Sequence, residues 1–276
     1  MKDLHYLNNR WVSEKDLTIS VFDLSVIRGF GVFDFLRTYD NKPFKLDEHI
    51  DRLFRSAKTL TITVPKTKAA IKKIVAVGLV KNSYPEKNIR IVVTGGVATD
   101  GITPGKSSFF VIFTKAHDYP KEYYENGVKI ITYPHLRPFA EAKSLNYQTG
   151  IVALQKARQE KAIEAVFVGP KGEIYEGTTS NFFAVIDGKL VTPKDNILFG
   201  ITRRIVIDIA KKEGIKVVER SINISEIPNM SEAFITASNK EVMPVTKINL
   251  QTIGSGEVGK IAKQLTILYK RLLHKI

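Results

Sequence analysis

The stretch Ala142-Lys143-Ser144-Leu145-Asn146-Tyr147 places one lysine between a proline-broken approach, residues 133–138, and a helix-like run that starts at Thr149. A lysine at the end of a loop, with aromatic and apolar neighbours, is a candidate for a lowered pKa because burial disfavours its charged form. An uncharged lysine amine can form a Schiff base with a carbonyl group. Local context also fits a solvated lysine, so the assignment of Lys143 depends on the rest of the chain.

Three further segments stand in a fixed order around Lys143. Glu48-His49-Ile50-Asp51-Arg52-Leu53 precedes it, and Glu176-Gly177-Thr178-Thr179-Ser180-Asn181 and Gly200-Ile201-Thr202-Arg203 follow it. In this order the four segments resemble the fold-type IV pyridoxal-phosphate enzymes, which include D-amino-acid aminotransferases, branched-chain aminotransferases and aminodeoxychorismate lyases. The resemblance extends over nearly the whole chain.

The resemblance implies an α+β fold with two domains. A smaller N-terminal α/β domain is expected over residues 1–116, and a larger C-terminal domain that binds the cofactor, with a barrel-like mixed sheet, over residues 117–276. The hydrophilic stretch 115–126 is the best boundary, and a second break lies near residues 133–140. Short strands with irregularly placed helices also fit α+β better than a doubly wound sheet.

Hydrophobic periodicity and turn residues give a coarse map of the elements. Helices are predicted over residues 47–58, 66–81, 149–162, 201–213 and 259–273, and the first of them takes Asp47 as its N-cap. Strands are predicted over residues 88–96, 107–114, 128–132, 164–168, 181–186, 189–192, 216–219 and 233–236.

The composition is that of a globular protein, with 276 residues, 43% hydrophobic and 25% charged. The chain has no cysteine, and its five histidines lack metal-ligand spacing, so we expect no disulfide and no metal site. No apolar run reaches the roughly 18 to 20 residues of a membrane-spanning helix, and no signal peptide follows Met1. We therefore expect a cytoplasmic protein with no membrane partner.

The net charge of +14 raises the question of nucleic-acid binding. The basic residues are dispersed, and the densest runs, residues 66–81 and 260–275, place their lysines on the polar face of amphipathic helices. No recognition motif accompanies them, so we expect no nucleic-acid partner. A basic protein would also attract anionic substrates and phosphorylated cofactors.

The resemblance implies pyridoxal 5'-phosphate (PLP) as cofactor and assigns its contacts residue by residue. Lys143 would be the Schiff-base lysine and the general base, and Glu176 would face the pyridine nitrogen. Tyr147 would donate to the ring O3′, and Arg52 would hold the phosphate, as a guanidinium fork does well. Without the resemblance, Glu176 fits a solvated glutamate, and Arg52 fits a surface arginine paired with Glu48.

The phosphate has a second set of candidates. Ile201 and Thr202 follow Gly200 at the start of a predicted helix, where backbone N–H groups bind anions. These two residues are therefore physical candidates before any family is considered. The resemblance adds Ser238 as a hydroxyl contact and Leu198 as the residue that packs on the cofactor ring.

The substrate pocket departs from both aminotransferase branches. The resemblance places Phe33 in the pocket, as in branched-chain enzymes, but the Arg-x-His pair that grips the carboxylate in D-amino-acid enzymes is replaced by residues 100–102, Asp-Gly-Ile. The branched-chain pattern fails at Arg28 and Asn88. We expect Arg28 and Arg90 to bind a substrate carboxylate instead; ion pairs with acids such as Asp34 are the alternative.

The segments 143–146 and 47–53 resemble D-amino-acid aminotransferase more than the other branches. They favour a transaminase that transfers the amino group between D-amino acids, such as D-glutamate and D-alanine, and 2-oxo acids such as 2-oxoglutarate. A branched-chain L-amino-acid aminotransferase and an aminodeoxychorismate lyase are the alternatives within the family, and a non-enzymatic basic binding module is the alternative outside it. The resemblance also implies a homodimer with the active site at the subunit interface, where Arg28 and Phe33 serve the neighbouring subunit.

Overall fold

The computed structural model of the chain describes residues 3–273, which form two compact units. The first unit contains residues 3–117 and 142–147, and the second contains residues 118–141 and 148–273. The segment around Lys143 thus packs with the first unit, although it lies far along the chain in the half predicted as the larger domain. Both units mix helices and strands, as an α+β fold requires.

The first unit is built on a six-stranded sheet with the strand order β2-β1-β6-β5-β3-β4. Its elements are β1 (Leu4–Leu7), β2 (Arg10–Ser13), α1 (Leu24–Ile27), β3 (Gly31–Tyr39), β4 (Lys42–Pro43), α2 (Leu46–Thr59), α3 (Lys68–Lys81), β5 (Lys87–Thr94) and β6 (Phe109–Lys115).

Side-chain alternation in β3 explains how this sheet packs on α2. Val32 and Leu36 point to one face and join Ile50 and Leu53 of α2 in a buried apolar cluster, as expected where residues two apart in a strand meet one face of a helix. The helix begins at Leu46, and Lys45 is its N-cap with a φ of 54°. Asp47, the predicted cap, therefore lies inside the first turn, where its charge still complements the helix dipole.

The segment 142–147 lies along the edge of β3. Phe33 N donates to Lys143 O and Leu145 N donates to Gly31 O, both at 2.9 Å. A Cβ atom on Gly31 would lie 2.5 Å from Leu145 Cδ1 and 2.9 Å from Val93 O. A glycine is therefore needed at residue 31 for the segment to approach this closely.

The second unit contains a ten-stranded sheet and four helices among its described residues. Its elements are α4 (Glu122–Glu125), β7 (Val128–Pro134), α5 (Gln148–Gln159), β8 (Glu164–Val168), β9 (Glu173–Gly177), β10 (Asn181–Ile186), β11 (Lys189–Thr192), α6 (Ile201–Lys212), β12 (Val217–Glu219), β13 (Ile222–Asn223), β14 (Met230–Ala237), β15 (Glu241–Ile248), β16 (Gln251–Thr252) and α7 (Lys260–Leu273).

Six of these strands close into a ring, which is the barrel-like sheet that the resemblance implies. The order β10-β14-β15-β7-β8-β9 returns to β10 through one antiparallel pair, Asn181 with Glu176. Alternate side chains of the ring strands, among them Ile130, Val166 and Ile235, form its apolar interior. The closing pair places Glu176 at the seam of the barrel.

Strand β15 was not predicted, and Pro244 is the reason. A proline inside an apolar run argues against a central strand because it has no N–H to donate. In the structure, Pro244 pairs with Phe234 of β14, while the register of β15 with β7 begins only at Val245. The proline therefore lies outside the β7 ladder.

The helices are short. Among residues 3–273 the longest have 14 residues, whereas a bilayer requires about 20. No helix in this part of the chain is long and apolar enough to cross a membrane.

Candidate active site

The backbone of Lys143 is fixed at three points within the first unit. Its carbonyl accepts from Phe33 N, the neighbouring Ser144 forms a bridge with Val32, and Lys143 N donates to Ser56 Oγ of α2 at 3.0 Å. Its Nζ atom lies 4.6 Å from the centre of the Phe33 ring. The amine is therefore held over an aromatic face rather than extended along the surface.

Phe33 brings together several of the residues assigned from the sequence. The Tyr147 ring packs edge-on against it with centroids 5.7 Å apart, and the guanidinium carbon of Arg90 lies 5.7 Å from its centre. Arg90 also lies 5.9 Å from the Phe35 ring, since it pairs with Phe35 across β3 and β5. Lys143, Tyr147 and Arg90 thus surround one apolar ring.

Asp34 lies on the opposite, core-facing side of β3 and is fully buried. Arg52 donates to both of its carboxylate oxygens, from Nε and from Nη2 at 2.9 Å each, and His49 Nδ1 lies 2.6 Å from Oδ1. Burial alone would raise the pKa of Asp34, but Arg52 and His49 outweigh it and hold that pKa well below its usual range. Asp34 is therefore an anion in the core.

His49 is the neutral member of this cluster. Burial lowers its pKa and Asp34 raises it, and with the charges of Arg52 and Lys143 on the side of burial the pKa lies below its usual value. A neutral ring that faces a carboxylate must donate its proton to it, so Nδ1 carries the hydrogen. The cluster is thus one ion pair with a neutral donor.

Arg52 is buried, so it is not the surface arginine of the alternative interpretation. Its Nε and Nη2 atoms both donate to Asp34. The alternative for Arg28 and Arg90, an ion pair with Asp34, gains no support because Arg52 and His49 occupy that carboxylate.

In the second unit, Glu176 is fixed through both carboxylate oxygens. Arg137 donates to Oε1 from Nε at 3.1 Å and from Nη2 at 2.9 Å, and Leu198 N donates to Oε2 at 2.9 Å. Asn181, its partner at the barrel seam, donates from Nδ2 to Leu198 O at 2.7 Å. Glu176 and Leu198 are thereby brought together, and Glu176 is not a solvated glutamate.

The start of α6 has the donor set that a phosphate requires. Gly200 is its N-cap and provides no side-chain cap, so the first-turn N–H groups of Ile201 and Thr202 are not bound by a capping side chain. A Cβ atom on Gly200 would lie 2.0 Å from Asn181 Oδ1, so only glycine lets this helix start approach β10. Ser238 lies half-buried in the turn between β14 and β15.

Asp100 fixes the conformation of the loop, residues 100–103, that stands where D-amino-acid enzymes are expected to carry the Arg-x-His pair. Asp100 accepts from Ile102 N at 3.0 Å and Thr103 N at 2.8 Å, and from Thr103 Oγ1 at 2.6 Å. The hydrogen bond from the Thr103 hydroxyl, followed by that from the Thr103 amide, lowers the pKa of Asp100 to about 2. Arg28 is exposed and donates from Nε to Gly101 O at 3.3 Å.

Arg28 therefore lies at this loop, whereas Arg90 lies beside Phe33, four residues along β5 from Thr94.

Comparison with known proteins identifies the family. The model of the family described as "Amino-transferase class IV" matches residues 31–248. The chain belongs to the class IV aminotransferases, which use PLP. The donor set fits that cofactor, because the first unit holds the half-buried amine of Lys143 and the second holds an anchored carboxylate and an uncapped helix start.

Three relatives illustrate the range of the similarity. A protein of Methanocaldococcus jannaschii named "Putative branched-chain-amino-acid aminotransferase" is 39% identical over 98% of this chain and 96% of its own. A D-alanine aminotransferase of Staphylococcus epidermidis is 34% identical over 94% of each. The crystal structure of the branched-chain aminotransferase from the archaeon Thermoproteus uzoniensis with norvaline has a TM-score of 0.87 at 29% identity, over 98% of this chain and 94% of its own.

Sequence reasoning missed Arg137 and the core cluster of Asp34 and His49. A signal for the cluster was present, because an acid between Val32 and Leu36 on the core face of a strand needs a buried cation. His49 and Arg52 lie three residues apart on one helix face and can meet the same acid. Arg137 gave no such signal, since its carboxylate partner lies 39 residues away.

Replacement of Asp34 by Asn should strongly destabilise the protein. The change leaves the buried guanidinium of Arg52 without its counter-charge, which costs about 3 to 5 kcal/mol. Urea unfolding measures the loss. The control is Asp51→Asn on α2, because its pair with Lys68 is exposed and should contribute at most about 1 kcal/mol. Equal effects of the two changes would contradict the role of the buried cluster.

Proposed function

We propose that this transaminase moves the amino group from amino acids with apolar side chains, branched-chain L-amino acids first among them, to a 2-oxo acid such as 2-oxoglutarate. The observation that carries the proposal is the apolar Phe33 ring, which lies 4.6 Å from the Lys143 amine. A substrate side chain beside that amine meets an aromatic surface, which favours hydrocarbon over charge. The 39% identical relative supports the same choice.

The loop at residues 100–103 gives a second argument for the proposal. In D-amino-acid enzymes the corresponding loop is expected to grip a carboxylate, but here it carries the ionised Asp100. Like charges repel, so the residues of this loop do not themselves replace the missing cationic pair, and Arg28, which donates to Gly101 O, is the cation beside them. An exposed Ile102 side chain also adds apolar surface to it.

Bound PLP supplies an aldehyde that condenses with amines and a ring that withdraws electrons from the substrate Cα. In the proposal, the Lys143 amine moves the proton at Cα as general base. Glu176, anchored by Arg137, would keep a proton on the pyridine nitrogen, Tyr147 would donate to O3′, and Leu198 would pack on the ring.

The phosphate is assigned to a separate group of donors. The N–H groups of Ile201 and Thr202, the Ser238 hydroxyl and the Arg52 guanidinium are proposed to bind it, the arginine because its segment resembles the family. Arg90 is proposed to receive the substrate carboxylate beside Phe33.

D-amino-acid transamination, with D-alanine and D-glutamate as donors, is the second candidate. It is supported by the 34% identical D-alanine aminotransferase and by the likeness of residues 143–146 and 47–53 to that branch. The carboxylate of the D-amino acid would be bound by Arg90, and a neighbouring subunit would contribute Arg28.

A homodimer is part of the proposal. Four apolar side chains around α1, Val21, Phe22, Val26 and Ile27, are exposed in the single chain. An apolar surface of this kind usually marks an interaction site, and Arg28 follows it directly. The cytoplasmic location stays a prediction.

Replacement of Lys143 by Ala should abolish transamination and leave the fold intact. One half-buried loop amine contributes little to stability, but no other group in the proposal removes the Cα proton. Turnover assays and circular dichroism measure the two effects. Wild-type turnover by a folded Lys143→Ala protein would overturn the assignment.

The half-reaction with single amino acids separates the two candidates. L-leucine and L-isoleucine should change the visible absorbance of the bound cofactor rapidly, while D-alanine and D-glutamate should leave it nearly unchanged. The opposite order would establish the second candidate.

Arg90→Leu tests the carboxylate contact in the same assay. Loss of a charge-assisted hydrogen bond of about 1.5 to 3 kcal/mol should lower kcat/KM roughly ten- to a hundredfold with the cofactor spectrum unchanged. Arg10→Leu, an exposed arginine on β2 of the same sheet, is the control and should keep wild-type efficiency. Equal efficiency of both variants would remove Arg90 from the site.

Sedimentation velocity tests the assembly. The protein should sediment as a dimer, and Phe22→Asp together with Val26→Asp should shift it toward monomer because charges in an apolar interface are costly. A wild-type protein that is active as a monomer would contradict the proposal.

A further inference from the structure

We propose that Lys240 is a positioning residue, which holds the turn between β14 and β15 so that Ser238 meets the phosphate of the cofactor. The inference rests on the proposed phosphate site and extends it to a buried side chain that does not touch the cofactor. Lys240 ends the turn that begins at Ser238, and its N–H donates to Ala237 O at 3.2 Å. A shift of the lysine would therefore move the serine with it.

The ammonium group of Lys240 is buried in the second unit. Its Nζ lies 3.0 Å from Glu164 Oε2 and donates to Thr179 Oγ1 at 2.5 Å, with the Tyr119 ring centre 5.7 Å away. Burial alone would lower the pKa of Lys240, but Glu164 and Tyr119 outweigh it and raise that pKa. The charged form of the group is therefore favoured.

Glu164 is fully buried and gathers a second set of donors. It accepts from the hydroxyl of Thr178, from Thr179 N at 3.2 Å and Oγ1 at 2.9 Å, and from Ser180 Oγ at 3.3 Å. These residues form the turn between β9 and β10, and only Gly177 separates them from Glu176. One carboxylate thus anchors the turn beside the barrel seam.

Lys240 joins that anchored turn to the one that carries Ser238. The two turns lie side by side because β10 pairs with β14, with Asn181 opposite Thr236. Since three hydroxyl groups and one amide already satisfy Glu164, the carboxylate keeps most of its partners without the lysine. The specific contribution of Lys240 is therefore to fix the second turn relative to the first.

A buried ion pair is seldom the most stable way to fill a core, because desolvation of both charges offsets their attraction. A methionine of similar length could fill this space. The pair does provide direction, since Nζ must point at Glu164 and Thr179 together. This is the property that a positioning role requires.

The test compares the affinity of the apoprotein for PLP and for pyridoxal, which lacks the phosphate. Lys240→Met should weaken PLP binding about ten- to a hundredfold, in line with a loss of one charge-assisted contact. Pyridoxal binding should change little, because the ring contacts of Glu176 and Leu198 do not depend on the second turn. Equilibrium dialysis measures both constants without any substrate.

Two further variants separate position from stability. Lys240→Arg keeps the cation and should restore PLP affinity, whereas Lys129→Met removes a lysine whose pair with Glu160 is more exposed and should have no effect. If Lys240→Met fails to fold, the double variant Glu164→Gln and Lys240→Met, which leaves no unpaired charge, takes its place.

The outcomes are distinct. A lower unfolding midpoint with unchanged PLP affinity, or an equal loss for PLP and pyridoxal, would overturn the role of Lys240. Equal affinity of the wild-type protein for PLP and pyridoxal would instead overturn the proposed phosphate site itself.

Discussion

Two backbone hydrogen bonds between the segment 142–147 and the edge of β3 determine where the Lys143 amine lies. They place a residue from the middle of the chain beside a strand from its beginning, and they set the side of the sheet on which each side chain falls. Because alternate residues of a strand face opposite sides, β3 presents Phe33 to the lysine and Asp34 to the core. The chemistry of one face and the stability of the other are thus encoded in adjacent residues.

In the second unit, hydrogen bonds and ion pairs fix two buried carboxylates. Glu176 is fixed by a guanidinium fork and one backbone amide, and Glu164 by three hydroxyl groups, one amide and an ammonium. A carboxylate held from several directions needs little reorganisation when it takes part in a reaction. Both acids lie around the same barrel seam, so the strand pairing that closes the ring also orders the residues assigned to the cofactor.

The sequence allowed much of the fold to be predicted, because its segments resemble a family and its helices show clear periodicity. Strands 164–168 and 181–186 were placed correctly, and the helix starts at Gln148 and Ile201 lie within one residue of their predictions. Strand β15 was missed because Pro244 obscures it. The family, its cofactor and the barrel-like sheet are confirmed.

The site was less accessible to sequence reasoning, because its supporting contacts join residues far apart in the chain. Arg137 pairs with Glu176, and Lys240 pairs with Glu164, across 39 and 76 residues of the chain. No local pattern encodes such pairs. Substrate choice is harder still, since the sequence favours the D-amino-acid branch, while the aromatic ring beside Lys143 offers apolar surface to a side chain of either handedness.

The closed barrel of the second unit also has a consequence for the synthesis of the chain on the ribosome. Strand β7 must pair with β15, and Thr132 N donates to Asn249 Oδ1, 117 residues later. A ribosome adds about 5 to 20 residues per second, so β7 waits for about 6 to 23 seconds before its partner is synthesised. During that time the nascent chain exposes an unpaired apolar edge, which is a natural site for chaperones to bind.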